Sequence, residues 1–414
     1  MINRKDINLM APAGSLESLH ASIQGGADSI YFGIDKLNMR ARSSVNFTLS
    51  DLKKIVSVCK ENSIDPYLTL NVVFYDNELS QMKEIVNFAK DTGIKAIIAS
   101  DQAVISYAKS VNMEVHISTQ VNISNTDALK YYADFADVIV LARELNLDQV
   151  RGIYNNIMHE GITGPSGNPI KIEMFIHGAL CMSISGKCYL SLHEHNHSAN
   201  RGDCLQDCRR AYIVREKETG AEIEIDNEYI MSPKDLCTIH FLNKIIDAGV
   251  RVMKIEGRAR PPEYVYTVTS CYNEAINAIT ENFYNKGRIE EWKKRLSNVF
   301  NRGFWDGYYL GQRLGEWSEV YGSKSGKRKV YIARGMNYFS KLKVAEFLCE
   351  AGILRVGDEI LITGPTTGVI MTTIREIRVN LKQVTETVQG ERFSIPVEKI
   401  VRRSDKLYKW ADSN

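Results

Sequence analysis

The chain has 414 residues, 44% of them hydrophobic and 25% charged, with a formal net charge of +2 at pH 7. That length and apolar content define an ordinary globular protein with a large core in two or three domains. No uncharged apolar run approaches a membrane span and the first residues lack an apolar signal core, so a cytoplasmic protein with no membrane partner is expected.

The first 280 residues read as βα units. Short apolar runs at 9–14, 29–33, 67–71, 96–100, 114–119, 138–143, 173–178 and 252–257 alternate with helical patterns, the rhythm of a parallel sheet. Between them, Leu79, Met82, Val86 and Ala89, and again Leu236, Ile239, Leu242 and Ile246, recur at the three-to-four residue spacing of one buried helix face. Eight such units predict a (βα)8 TIM-like barrel. A doubly wound sheet would bring a glycine-rich phosphate loop after the first strand, and Ala13-Gly14-Ser15-Leu16 is too short for one. The last barrel helix is expected over 263–281, after the start signal Pro261-Pro262.

The seventh unit is swollen. About fifty residues, 179–232, separate its strand from a helix expected near Pro233, and a hairpin of residues 211–216 and 221–225 is expected among them. Five of the eight cysteines, Cys181, Cys188, Cys204, Cys208 and Cys237, lie in this insertion or at its borders. In a reducing compartment such a cluster reads as metal ligands or catalytic thiols rather than disulfides. Barrel enzymes carry their chemistry on loops at the carboxyl ends of the strands, which puts these thiols at the mouth. Four thiolates suit an iron-sulfur cluster. Zinc is the alternative metal, with His193, His195 and His197 as possible imidazole donors on one side of an extended segment. Cys208 lies one helical turn from Cys204, and Cys237 is expected at a helix start, where a thiolate is favoured electrostatically. Spacing alone leaves open which four of the five ligate. Cys59, Cys271 and Cys349 fall in expected helices and read as core.

Residues 1–284 thus form the barrel domain, 285–322 a helical connector, and 323–414 a small β domain with segments at 329–333, 359–363, 369–377 and 393–401 that read as an antiparallel barrel. The connector carries an aromatic patch, Phe304, Trp305, Tyr308 and Tyr309, expected to pack between domains or, less simply, to stack bases. From Ser323 onward there are 17 Lys plus Arg against 10 Asp plus Glu, with 35 against 40 before it. A basic satellite on a mildly acidic body fits an RNA partner, and fits a solvated basic surface equally well.

Residues 173–191 read Glu-Met-Phe-Ile-His-Gly-Ala-Leu-Cys-Met-Ser-Ile-Ser-Gly-Lys-Cys-Tyr-Leu-Ser. This run resembles the signature of peptidase family U-32, the collagenase-like proteases. Ala11-Pro-Ala-Gly14, Asn38-Met-Arg-Ala-Arg42, His116-Ile-Ser-Thr-Gln120, Asn200-Arg-Gly-Asp-Cys204-Leu-Gln-Asp-Cys208-Arg209, Ser232-Pro-Lys-Asp-Leu236 and Lys254-Ile-Glu-Gly-Arg258 agree with it. The resemblance spans about residues 8–320, and the tail is similar to the small barrel of an RNA-hydroxylating branch. It implies a tRNA hydroxylase that forms 5-hydroxyuridine at the wobble position, prephenate-dependent and oxygen-independent, with a [4Fe-4S] cluster. By similarity to a quinone-hydroxylating branch the ligands would be Cys181, Cys188, Cys204 and Cys237, with Cys208 as alternate.

A dianionic co-substrate such as prephenate calls for guanidinium forks. Arg40, Arg42, Arg143 and Arg258 follow expected strands and would project towards one rim, although a surface ion pair is the ordinary role of any one of them. His177, Glu144 and Glu256 sit at strand ends where proton transfer could be placed, as do His116 and Gln120; a satisfied interior polar group is the plainer reading of each. The family name also implies an endopeptidase, metal- or cysteine-dependent. There is no Gly-x-Ser-x-Gly elbow, and His159-Glu160 lacks the second histidine of a zinc-peptidase helix. A third reading is a non-catalytic RNA-binding partner of a related family paralogue.

Overall fold

A computed structural model describes residues 2–42, 46–213, 215–220, 231–312, 315–320 and 322–413. Eight parallel strands close a barrel: β1 (Asn8–Pro12), β2 (Ser29–Gly33), β3 (Asp65–Leu70), β4 (Ala96–Ala99), β5 (Glu114–Ile117), β6 (Val138–Val140), β7 (Lys171–Gly178) and, after a short extra strand β8 (Asp235–Cys237), β9 (Val250–Ile255). Pairing of β7 with β9 and of β9 with β1 completes the ring. Each expected run is one of these strands. Continuous apolar stretches such as Ala-Ile-Ile-Ala of β4 are buried on both faces, as a barrel wall covered by helices requires.

The helices follow the periodicity. Leu79–Thr92 buries Met82, Ile85, Val86 and Ala89 and ends at Gly93, whose φ of 98° suits a residue with no Cβ. Pro262–Thr280 begins with proline in its first turn, where no backbone donor is lost. No helix among the described residues is long and apolar enough to cross a membrane.

Two expectations fail beside the insertion. The helix expected from near Pro233 begins only at Leu242 and is short, Leu242–Asp247. Leu236 and Cys237 instead lie on β8, antiparallel to β7 with Cys237 opposite His177, and β10 (Phe304–Trp305) adds alongside β8. The apolar spacing was helical, but backbone pairing with β7 made the segment extended. The aromatic patch is therefore fastened to the barrel mouth rather than set between domains: the Tyr309 hydroxyl donates to the Phe175 carbonyl at 2.8 Å. Of the expected hairpin, residues 221–225 lie outside the described residues.

The carboxyl-terminal strands β11 (Lys327–Phe339), β12 (Val344–Cys349), β13 (Glu359–Gly364), β14 (Gly368–Thr373), β15 (Ile377–Val379), β16 (Lys382–Val384), β17 (Arg392–Pro396) and β18 (Lys406–Asp412) form one antiparallel sheet in the order β14-β13-β18-β11-β12-β17-β15-β16. Ile370 of β14 and Ile377 of β15, far apart in that order, share a core with Phe347 and Phe393, so the sheet wraps around a common interior. Cys349 is core as expected, but on a strand rather than a helix.

This domain docks on the helical flank of the barrel. The Gln24 amide donates to Thr367 O at 2.8 Å and accepts from Val369 N at 2.9 Å, while Lys329 pairs with Glu263 at 3.0 Å. Lys327, Arg334, Lys343, Arg355, Arg378 and Lys409 are also held in ion pairs. The exposed Arg328, Arg375, Lys382, Arg392, Lys399 and Arg403 stand outside those pairs and carry the basic excess.

Candidate active site at the barrel mouth

The carboxyl ends of the strands enclose a cavity of about 190 Å³. Arg40, Thr69, Asn71, Gln120, Arg143, Phe175, Lys254, Glu256, Arg258, Arg260 and Arg302 line it together with Cys181, Cys188, Cys204, Cys208 and Arg209 from the insertion. Close backbone approach at the rim explains two glycines of the sequence motifs. A Cβ on Gly14 would lie 1.8 Å from the Arg258 carbonyl oxygen, and one on Gly178, which also has φ 106°, would lie 2.4 Å from that of Glu256.

Charge at the mouth is layered. Uppermost, the Arg40 guanidinium reaches Glu256 Oε1 at 2.9 Å. Burial alone would raise the Glu256 pKa, but the nearby Arg40, Arg258 and Arg143 hold it down at about 2, so this carboxylate is a fixed anion that orients arginines and not a general acid. Arg258 is 5% exposed; its Nη1 donates to Asn38 Oδ1 and Thr69 Oγ1, each at 2.8 Å, and its Nε is buried without a partner. Arg143 lies over the Phe175 ring at 4.1 Å, and its Nε is likewise buried without a partner. Beneath them Lys254 Nζ donates to Glu173 at 2.6 Å, and His116 Nδ1 is 3.4 Å from the other Glu173 oxygen. Burial opposes a charge on His116, yet the neighbouring carboxylates of Glu114 and Glu173 raise its pKa overall. Cationic side chains lining the cavity far outnumber Glu256, and buried N–H groups remain for a ligand's oxygens, which is the electrostatics of an anion receptor.

The cysteines come from an insertion stitched to this rim. Arg209 donates to Ser232 Oγ at 3.1 Å, to Pro233 O at 2.6 Å and to Leu180 O, clamping the loop that follows β7. Buried Asp207 accepts from Ser191 at 2.9 Å and pairs with Arg210 at 3.1 Å. Cys181 is exposed and Cys188, Cys204 and Cys208 half-buried. The thiols of Cys204 and Cys208 each feel those of Cys181 and Cys188 electrostatically, and burial raises both, Cys208 to about 11. Among the described residues no three His, Cys, Asp or Glu side chains are already drawn together at the spacing of a metal centre; the four cysteines share a cavity rather than a point. As a donor set they still fit a soft metal or iron-sulfur group, being four thiols on one partly solvated loop system beside arginines.

Cys237 is not among them. It is 3% exposed, faces a different cavity with His240 and Trp305, and lies within 4.0 Å of the Tyr272 hydroxyl. Its place on β8 turns it behind the barrel wall, and Cys208 is the fourth cysteine that lines the mouth cavity. His177 is also behind the wall: a register shift between Phe175 and His177 in the β7–β9 pairing breaks the alternation that would have kept both inside. Its ring packs on Tyr264, Tyr272 and Phe304, and burial lowers its pKa to about 3. Arg42 does not line the cavity; it pairs with Asp203 at 3.1 Å. Glu144 is exposed on a neighbouring chamber. His193 and His195 sit on a helix, Leu190–His195, so the three insertion histidines do not alternate on one extended face, and His195 and His197 pair with Asp207 and Asp203.

Sequence reasoning passed over Lys254, Arg209, Arg260 and Arg302. Lys254 could have been found, because a lysine inside an otherwise apolar barrel strand must be paired, and Glu173 is the matching anomaly on β7.

A TIM-like barrel that gathers cysteines and cationic side chains at its mouth defines the structural class, and comparison with known proteins gives the family. The model of peptidase family U32 matches residues 14–319, and the chain belongs to that family. It is 58% identical to a protein of Porphyromonas gingivalis named collagenase, over 99% of both chains. It is 30% identical to tRNA hydroxylation protein P1 of Bacillus subtilis, covering 87% of this chain and 84% of that one. Identity to the 23S rRNA 5-hydroxycytidine C2501 synthase of Escherichia coli is 33%, over 75% of this chain and 46% of that one.

Proposed function

We propose that the protein is an RNA hydroxylase that converts a tRNA wobble uridine to 5-hydroxyuridine without oxygen, using prephenate as co-substrate and a [4Fe-4S] cluster held by Cys181, Cys188, Cys204 and Cys208. The observation that carries this reading is the meeting of four thiols and unpaired guanidinium nitrogens around one cavity. Relatives named for tRNA hydroxylation and 5-hydroxycytidine synthesis support it. Bound there, an iron-sulfur cluster would supply one-electron chemistry. The chain's own residues do the rest. Arg258 presents a buried N–H donor to a carboxylate of a dianion. Arg40, fixed by Glu256, adds charge without needing to reorganise. The basic carboxyl-terminal sheet would hold the phosphate backbone, and a single-stranded anticodon loop offers its base unstacked. Nucleoside mass analysis of tRNA from a strain lacking this gene and its paralogues tests the reading: 5-hydroxyuridine derivatives are expected to disappear and to return with the intact gene, whereas unchanged levels would contradict it.

The 58% identity to a protein named collagenase favours an endopeptidase as second reading. A peptidase needs an activated nucleophile or a metal-bound water. His177, four residues before Cys181, is buried behind the barrel wall and does not line the mouth cavity, so it is not placed to activate that thiol. Cleavage of a collagen-like peptide that survives repurification and is lost in Cys181→Ala would favour this reading over the first.

A further inference from the structure

Beside the mouth cavity lies a second chamber of about 170 Å³, walled by Trp305, Tyr308, Tyr309 and Trp317 with Asn122, Arg143 and Glu144 at its polar side. Cys181 and Arg143 line both chambers, so the loop bearing the first cysteine is a partition between them. Trp305 stands edge-on to Tyr308 with ring centroids 5.3 Å apart, and it is only 5% exposed. Its indole N–H is buried with no hydrogen-bond partner, as is Arg143 Nε. Buried polar groups are normally satisfied, and two orphan donors on residues that line this aromatic chamber, Trp305 bordering the cavity of Cys237 as well, point to a missing acceptor-bearing ligand.

We infer that this chamber is a nucleobase pocket that seats a flipped-out pyrimidine against its aromatic wall, with the base edge read by polar groups. The inference rests on the RNA reading above. A pyrimidine is flat, stacks on any aromatic face, and has carbonyl oxygens that accept from donors such as Trp305 and Arg143, while Asn122 and Glu144 can accept its N3–H. The partition gives the arrangement its sense: a base seated here lies next to the Cys181 rim, with an anionic co-substrate on the other side among the arginines. A proline-rich peptide would also enjoy aromatic walls, but it offers no use for a carboxylate and an amide beside two orphan donors.

The test is binding rather than turnover. A fluorescein-labelled seven-nucleotide RNA with one central uridine, and its twin with an abasic site there, are titrated against the full-length protein by anisotropy. The uridine oligonucleotide is expected to bind about 5- to 150-fold more tightly, the range for stacking one base. That preference is expected to vanish in Tyr308→Ala and Trp317→Ala and to persist in Tyr308→Phe, all at unchanged thermal unfolding. Equal affinity for the two oligonucleotides would overturn the proposal. So would a uridine preference that survives both alanine variants. Since no chemistry is read out, unchanged tRNA hydroxylation in the deletion strain would defeat the hydroxylase reading alone, and equal affinity of the unsubstituted protein for the two oligonucleotides would defeat the pocket alone.

Discussion

Replacing Glu173 by alanine is expected to lower the free energy of unfolding by about 3–5 kcal/mol, the penalty for leaving a buried charge without its partner. Glu173 is fully buried, and it faces Lys254, 4% exposed, and His116, 1% exposed. Without the carboxylate, two cations stay in the barrel interior with little water to replace it. The effect has a pH signature. Burial raises the Glu173 pKa, but Lys254 and His116 lower it overall, so its contribution is present above the ordinary carboxylate range and is lost as pH falls. His116 is shifted upward overall, so its contribution is present below its ordinary value of 6.5 and is lost as pH rises through the raised one. The gap between wild type and Glu173→Ala is therefore expected to be widest in mildly acidic solution and to narrow on both sides. Urea unfolding across pH measures it; a constant gap would mean that the triad is not a charged one.

The second large effect belongs to Arg258. Hydrogen bonds to charged groups are each worth about 1.5–3 kcal/mol, so under the proposed function Arg258→Ala is expected to weaken binding of prephenate by roughly 10- to 150-fold. Arg258→Lys keeps a cation but not the planar fork, and is expected to recover only a small part of that loss. Calorimetry on anaerobically prepared protein reads both. Binding unchanged in Arg258→Ala would remove the mouth cavity as the anion site, even though Arg258 also braces Asn38 and Thr69.

How much of this could be read in advance depended on whether the signal was local. All eight barrel strands were legible because each is a short apolar run between turns, and the final helix because proline marks its start. The thiol cluster was legible as composition, but its membership was not. Cys237 follows Ser232-Pro233 as a helix start would, and only its pairing with β7, a contact across sixty residues, turns it away from the mouth. His177 was read from its place at a strand end, and a register shift in the β7–β9 pairing, which that place does not reveal, turns it away from the mouth. Arg40, Arg143 and Arg258 were placed correctly at the mouth because they follow strands directly, whereas Arg42 on the longer loop after β2 found Asp203 instead. The aromatic patch was seen, but its attachment to β8 needed the strand that sequence periodicity hid.

Iron and acid-labile sulfide, counted in anaerobically purified protein and in its single-cysteine variants, bear most directly on the thiol site. About four of each per chain are expected in wild type and in Cys237→Ser, with loss of both and of the brown colour in Cys181→Ser, Cys188→Ser, Cys204→Ser and Cys208→Ser. Full iron content in Cys208→Ser with loss in Cys237→Ser, or a colourless wild type holding stoichiometric zinc, would contradict a cluster seated at the barrel mouth.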